Sequence, residues 1–212
     1  MSDELKDEPF SVEVTDRETV YEGAVWDIVS ETFDYNGEPI TRQFMDHTGA
    51  VAILALDEDD RVLLIRQYRH PVRSRDWEIP AGLLDEEGEQ PLAAAQRELA
   101  EEADLAADRW NVLAEYQNSP GGSNETVRVY LARDLRQVEA FARTAEEADI
   151  EVRWVALDEV LGAVLSRRVE NPSTMMGVLS LAAWRSEGRS LDDLDPGDSP
   201  WPRHPKLGSG SW

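Results

Sequence analysis

The chain has 212 residues, 41% of them hydrophobic, enough for one domain of ordinary size with an added arm or lobe. Its formal net charge of −23 repels nucleic acid and anionic membrane, so neither is an expected partner. It has no cysteine and only three histidines, which excludes disulfides, zinc–thiolate sites and cysteine nucleophiles and leaves hard cations on oxygen ligands as the metals that fit.

The acidic, polar start, Met1 to Pro9, does not read as a secretory signal, and no apolar run approaches a membrane span, so a cytoplasmic protein is expected. From Ser11 to Phe44 the β-branched residues Val12, Val14, Val20, Val25, Ile28 and Val29 predict short strands, with Asn36-Gly37 as a hairpin turn. Ala50–Leu56 and Val62–Gln67 read as strands of a hairpin around Asp57-Glu58-Asp59-Asp60, and 70–77 as an arginine-rich loop. A short strand from Glu78 breaks at Pro80 and Gly82.

Pro91 to Ala103 is the clearest helix, with Pro91 at its first position and Leu92, Ala95, Leu99 and Ala103 forming an apolar stripe. Strands follow at Val112–Tyr116 and Glu125–Leu131, around the turn-rich Asn118–Asn124. An acidic connection occupies 136–149. Ile150–Val155 reads as a strand, Asp158–Leu165 and Met175–Glu187 as helices. The expected organisation is a small N-terminal β-lobe over residues 1–44, an α/β domain with a mixed sheet over 45–188, and a flexible C-terminal tail over 189–212.

Chemistry concentrates in Arg97-Glu98-Leu99-Ala100-Glu101-Glu102. On a helix Glu98 stands at i,i+3 to Glu101 and at i,i+4 to Glu102, so three carboxylates project from one side and repel by a few tenths of a kcal/mol per pair. A divalent cation removes that repulsion. Arg97 can pair with Glu101 at i+4 or with Glu89 upstream. Taken alone, the three glutamates also fit a solvated helix face. The Pro80-Ala81-Gly82 turn just before the helix adds a loop able to aim a backbone carbonyl at a metal.

These residues carry a family resemblance. Gly82, Glu89 and Arg97-Glu98-Leu99-Ala100-Glu101-Glu102-Ala103-Asp104-Leu105 resemble the Nudix box of Gly, Glu, Arg-Glu-aliphatic-any-Glu-Glu, Gly and an aliphatic. There are two departures. Six residues rather than five separate Gly82 from Glu89, and Asp104 stands where the pattern has Gly. Pro120, fifteen residues beyond Leu105, the context Ser119–Glu125, and Arg66–Arg69 with Trp77–Gly82 are similar to the ADP-ribose pyrophosphatase subfamily.

The resemblance implies a Nudix fold, a mixed β-sheet sandwiched between helices, and Mg²⁺-dependent hydrolysis of ADP-ribose to AMP and ribose 5-phosphate, with Mn²⁺ as a possible substitute. It assigns metal binding to the Ala81 carbonyl, Glu98, Glu101 and Glu102, with Arg97 orienting the glutamates. It assigns substrate contacts to Arg69 at the diphosphate and to Leu83, Ser119, Gly121 and Glu125 at the ribose-phosphate end. Glu78 either receives the adenine amino group or is structural. The general base falls at Glu146 or Glu147, with Glu146 preferred. The subfamily's homodimer implies that Trp26 stacks on adenine and Arg42 reaches the substrate from the other subunit. The competing readings are a Nudix enzyme for another nucleoside diphosphate sugar, a non-catalytic Nudix-fold nucleotide sensor, and an acidic interaction or Ca²⁺-buffering protein. The intact glutamates argue against the second, and the Gly82–Leu105 spacing against the third.

Overall fold

The computed structural model describes residues 5–140 and 150–204. The chain divides into two compact units. Of the described residues, one holds those up to Thr48, the segment Gln117–Thr126 and those from Trp201 to His204; the other holds those within Gly49–Tyr116 and Val127–Pro200.

In the first unit, strands β1 (Val14–Tyr21), β2 (Asp27–Tyr35) and β3 (Glu38–Asp46) form an antiparallel sheet in the order β1-β2-β3. The two-residue link between β2 and β3 is Asn36-Gly37, with φ of 57° and 83°. Positive φ at both central positions is what a tight hairpin of this twist requires, and Asn-Gly meets it at low cost. The loop Gln117–Thr126 docks on the end of β3. Met45 N–H donates to the Gly122 carbonyl at 2.9 Å, His47 N–H to Asn124 Oδ1 at 2.7 Å, and Asn124 Nδ2 to Asp46 Oδ1 at 2.8 Å.

The second unit is built around β4 (Ala50–Ala55), which reads as an unbroken apolar run because both its faces are buried. Its neighbours are β7 (Ala81–Leu83), antiparallel, and β9 (Thr126–Gln137), parallel; β8 (Leu105–Gln117) completes the mixed sheet β7-β4-β9-β8. Successive side chains alternate between faces. Val51, Ile53 and Ala55 pack in one cluster with Ala94, Ala95 and Leu99 of α1 (Pro91–Ala103). Ala52 and Leu54 join the other, with Val178 and Leu181 of α3 (Pro172–Ser186) and Val160 and Val164 of α2 (Leu157–Leu165). The sheet is therefore sandwiched between helices, as expected.

Strand β5 (Arg61–Arg69) departs from expectation. It does not form a hairpin with β4, which it meets only at the Leu56–Val62 bridge. Both edges of β4 are already taken by β7 and β9. The chain turns at Asp57, whose Oδ1 accepts from Asp59 N and Arg61 N, and β5 enters an antiparallel second sheet in the order β10-β5-β6. The segment expected as an arginine-rich loop supplies β6 (Ser74–Glu78), and β10 is Glu151–Ala156. The turn His70–Arg73 closes the β5–β6 hairpin, and the exposed arginines that resemble a loop lie along it. Helix α3 begins three residues earlier than its apolar spacing suggests. Asn171 caps it by accepting from Thr174 N at 3.0 Å, and Pro172 takes the first helical position.

Composition predicts a mobile tail from 189, yet residues 189–200 pack on the second unit. A 3₁₀ turn spans Leu191–Asp193, Leu194 is buried, and Asn111 bridges to Pro196. Arg128, 2% exposed, donates Nε to Glu115 Oε1 at 2.8 Å and its terminal nitrogens to the carbonyls of Ser199 and Pro200 at 2.7 and 2.9 Å. In the first unit Trp201 and His204 are buried, with ring centroids 4.7 Å apart.

Thr174 ties α3 to the strand that leads into β7. Its side chain is fully buried, and Oγ1 accepts from Ile79 N at 3.0 Å. A Thr174→Val change keeps the shape and leaves that N–H unsatisfied. Urea denaturation is expected to show a loss of about 1–3 kcal/mol, with Thr174→Ser losing less. An unchanged midpoint for Thr174→Val would contradict the role given to this hydrogen bond.

Candidate active site

Helix α1 separates its apolar and acidic faces. Ala94, Ala95 and Leu99 are buried against the sheet, and Arg97, Glu98 and Glu101 line the other side. Three carboxylates, Glu89, Glu98 and Glu101, gather around one guanidinium. Arg97 Nε and Nη2 form a fork with the two oxygens of Glu89, both at 3.0 Å. Arg97 Nη1 donates to Glu98 Oε1 at 2.6 Å and to Glu101 Oε2 at 3.1 Å. The hydrogen bond to Glu89, followed by the charge of Glu98, pushes the Arg97 pKa above its ordinary range, so the guanidinium is a fixed positive charge. Glu102, 5% exposed, accepts from Ala81 N–H at 2.9 Å.

The loop before α1 fits these glutamates closely. A Cβ placed on Gly82 would overlap Cδ, Oε1 and Cγ of Glu98. Gly82 has no left-handed φ, so its requirement is space rather than backbone freedom. The extra residue between Gly82 and Glu89 is absorbed in the turn Glu86–Glu89, closed by Glu89 N–H to the Glu86 carbonyl at 3.2 Å, with Gly88 at φ 81°. Glycine is the residue that such a turn takes at its third position. Asp104 caps α1 in the left-handed conformation, φ 55° and ψ 35°, and its N–H reaches back to the Ala100 carbonyl. Both departures from the motif are thus accommodated in the backbone, away from the glutamates.

Among the described residues, no three carboxylate or imidazole groups converge as a ready-made metal cage. In this arrangement Arg97 engages Glu98 and Glu101, and Ala81 N–H engages Glu102. The donor set nonetheless suits a hard divalent cation. It is all oxygen, its three carboxylates outnumber the one guanidinium beside them, and the missing Cβ of Gly82 leaves Glu98 lying against backbone.

The other sequence-derived residues fall into separate groups. Arg69 and Glu78, assigned different substrate contacts, pair with each other: Nε and Nη2 of Arg69 lie 3.0 and 2.8 Å from the two oxygens of Glu78. Glu78 is 2% exposed, so a buried carboxylate is held by a two-pronged guanidinium, which favours the structural role that the sequence left open for it. Leu83 ends β7 opposite Ala50.

In the first unit, Arg42, Gly121 and Glu125 line one cleft of about 550 Å³. Glu125 is positioned by Asn118, whose Nδ2 donates to its Oε2 at 2.7 Å, and Ser119 sits at φ 62° in the turn that shapes the loop. Trp26 is 40% exposed and stacks on His47, with ring centroids 5.8 Å apart. Glu146 and Glu147, read as base candidates, lie outside the described residues. Sequence reasoning missed Arg203, which lines the same cleft as Arg42; the signal available was its place between the aromatic residues Trp201 and His204.

A profile described as the NUDIX domain matches residues 46–175 of this chain. The chain belongs to the Nudix family. The match contains the whole of Gly82–Leu105 and the loop around Pro120. Among Nudix relatives, the chain is 41% identical over 172 residues to a protein of Mycobacterium tuberculosis (strain ATCC 25618 / H37Rv) named ADP-ribose pyrophosphatase, covering 81% of this chain and 83% of that one. It is 34% identical over 163 residues to an ADP-ribose pyrophosphatase of Bacillus subtilis (strain 168), covering 76% and 88%. A solved structure described as an ADP compounds hydrolase superposes with a TM-score of 0.68 at 21% identity, covering 87% of this chain and all of the other, which shows the shared Nudix fold.

Glycine is the usual Nudix residue at the position of Asp104, because a side chain in the left-handed region is strained. The Asp104→Gly variant is expected to gain up to roughly 1 kcal/mol in urea denaturation by relieving that strain. A loss of stability would show that the Asp104 side chain contributes more than its backbone costs.

Proposed function

We propose that this chain is a Mg²⁺-dependent ADP-ribose pyrophosphatase that yields AMP and ribose 5-phosphate. The observation that carries the substrate is the 41% identity, over 81% of the chain, to a protein named for that activity. The packing of Gly82 and Ala81 against the α1 glutamates supports the chemistry.

In this reading Glu98, Glu101, Glu102 and the Ala81 carbonyl would hold Mg²⁺, and Mn²⁺ is the natural substitute for the same hard oxygen donors. When bound, the metal neutralises diphosphate charge and lowers the barrier to attack at phosphorus. Arg97 keeps the carboxylates in register while remaining charged. The loop Gln117–Thr126 presents Gly121 and Glu125 to the ribose-phosphate end, and Arg42, on the same cleft, carries a guanidinium suited to phosphate oxygens. Glu146, or Glu147 beside it, takes the proton of the attacking water. Arg69, held in a two-pronged pair with Glu78, is assigned the substrate diphosphate, and Glu78 the part of fixing that guanidinium.

A homodimer is part of the proposal, with Trp26 stacking on adenine across the subunit interface. By the same resemblance Arg42 reaches the substrate from the other subunit; within its own chain it lines the cleft beside Gly121 and Glu125. Among the described residues no helix is long and apolar enough to cross a membrane. We place the protein in the cytoplasm, as the sequence reading expects.

The test is steady-state hydrolysis of ADP-ribose with Mg²⁺ and with excess chelator, beside GDP-mannose as a sugar-nucleotide control. Rapid AMP release that the chelator abolishes, with a much slower control, is expected. Glu102→Gln should lose at least about 100-fold in kcat, a few kcal/mol of transition-state stabilisation, while its circular dichroism stays native. Faster turnover of GDP-mannose would replace ADP-ribose as the substrate. Near-full activity of Glu102→Gln would remove Glu102 from the metal set.

A further inference from the structure

We infer that Arg203, carried on the C-terminal segment, is a substrate-binding residue that contacts phosphate oxygens at the ribose-phosphate end of the cleft. The inference rests on the ADP-ribose reading, and within it adds a contact from a part of the chain that the motif residues do not reach.

The cleft of about 550 Å³ is lined by Arg42, Gly121, Glu125 and Arg203 together with Glu8 and Phe10. In a chain of net charge −23, the two guanidinium groups of this concave surface offset its two carboxylates, Glu8 and Glu125, so the lining is locally neutral rather than acidic. Local relief of the negative field lowers the barrier to a polyanion, and a guanidinium then supplies the direct contact. Arg203 is also held in place. Its neighbours Trp201 and His204 are 6% and 1% exposed, their rings meet edge to face at 4.7 Å, and His204 N–H closes the turn on the Trp201 carbonyl at 3.2 Å. Those two anchors fix the backbone on both sides of Arg203, so its side chain enters the cleft from a supported position.

The guanidinium itself pairs with Asp7, Nη1 to Oδ2 at 3.1 Å. Asp7 is 89% exposed in its side chain and Arg203 34%. An exposed pair of this kind contributes little to stability. A phosphate dianion offers the same guanidinium a bidentate, more highly charged partner, so exchange of Asp7 for phosphate favours binding. Asp7 thus keeps the arginine oriented until substrate replaces it.

Calorimetric titration of ribose 5-phosphate and, separately, AMP into the full-length protein tests this without relying on turnover. Arg203→Ala is expected to weaken ribose 5-phosphate binding roughly 10- to 100-fold, the range of a lost charge-assisted contact, and to leave AMP binding within about twofold. Arg203→Lys should recover part of the loss. Asp7→Asn should bind ribose 5-phosphate at least as tightly as the parent protein, because it removes a competitor. Equal weakening for both ligands, or weakening by Asp7→Asn as severe as by Arg203→Ala, would make the ion pair a structural brace and overturn the inference. Unchanged binding in Arg203→Ala would overturn it as well. If the parent protein fails to hydrolyse ADP-ribose yet binds ribose 5-phosphate through Arg203, the proposed reaction fails and the anion site stands. If it hydrolyses ADP-ribose and Arg203→Ala changes nothing, the reverse holds.

Discussion

Glu89, Glu98 and Glu101 each place an oxygen within 3.1 Å of the Arg97 guanidinium, and carboxylates at that density repel one another. One positive charge cannot neutralise the set, yet it holds the carboxylates in place and keeps them on the face of α1 that points away from the core. The opposite face supplies the anchor: Ala95 and Leu99 are fully buried against the sheet, so the helix cannot rotate to relieve the repulsion. The loop before the helix adds two further restraints, the Ala81 N–H bond to Glu102 and the close approach of Gly82 to Glu98. A negatively charged, preorganised surface results, and a divalent cation is the simplest species that satisfies it.

Much of this was legible in the sequence because it is local. The helix Pro91–Ala103, its acidic face and the Asn36-Gly37 hairpin all follow from spacing and turn chemistry within a few residues. The resemblance of Gly82–Leu105 to a Nudix box likewise lies within one continuous stretch. Pairings between distant segments were harder. Nothing near Val62 shows that both edges of β4 are occupied by β7 and β9, so a hairpin was the natural expectation where the chain instead changes sheets. The arginines of 70–77 resemble a loop because an exposed hairpin and a loop carry the same polar residues.

The C-terminal segment shows the same limit. Its Asp, Pro, Gly and Ser content resembles a tail, and composition does not reveal that Arg128, some 70 residues earlier in the chain, donates to the carbonyls of Ser199 and Pro200. Leu191, Leu194 and Trp201 were the available signs that this stretch packs. Arg69 and Glu78 show a different limit: sequence placed both near substrate, and only geometry reveals that they satisfy each other. The substrate assignment also draws on more than physics. Acidic helix faces bind divalent cations for many reactions, and the relatives named ADP-ribose pyrophosphatase supply the choice among them.

The α1 glutamates and the Gly82 loop are proposed to form one divalent-metal site. Titration of Mn²⁺ into the protein, followed by the electron paramagnetic resonance signal of the free ion, measures that directly. Saturable binding in the parent protein is predicted, with at least a tenfold loss of affinity in Gly82→Ala, whose methyl group would displace Glu98. Equal Mn²⁺ affinity in the two proteins, or no saturable binding in the parent, would show that these residues do not form the metal site.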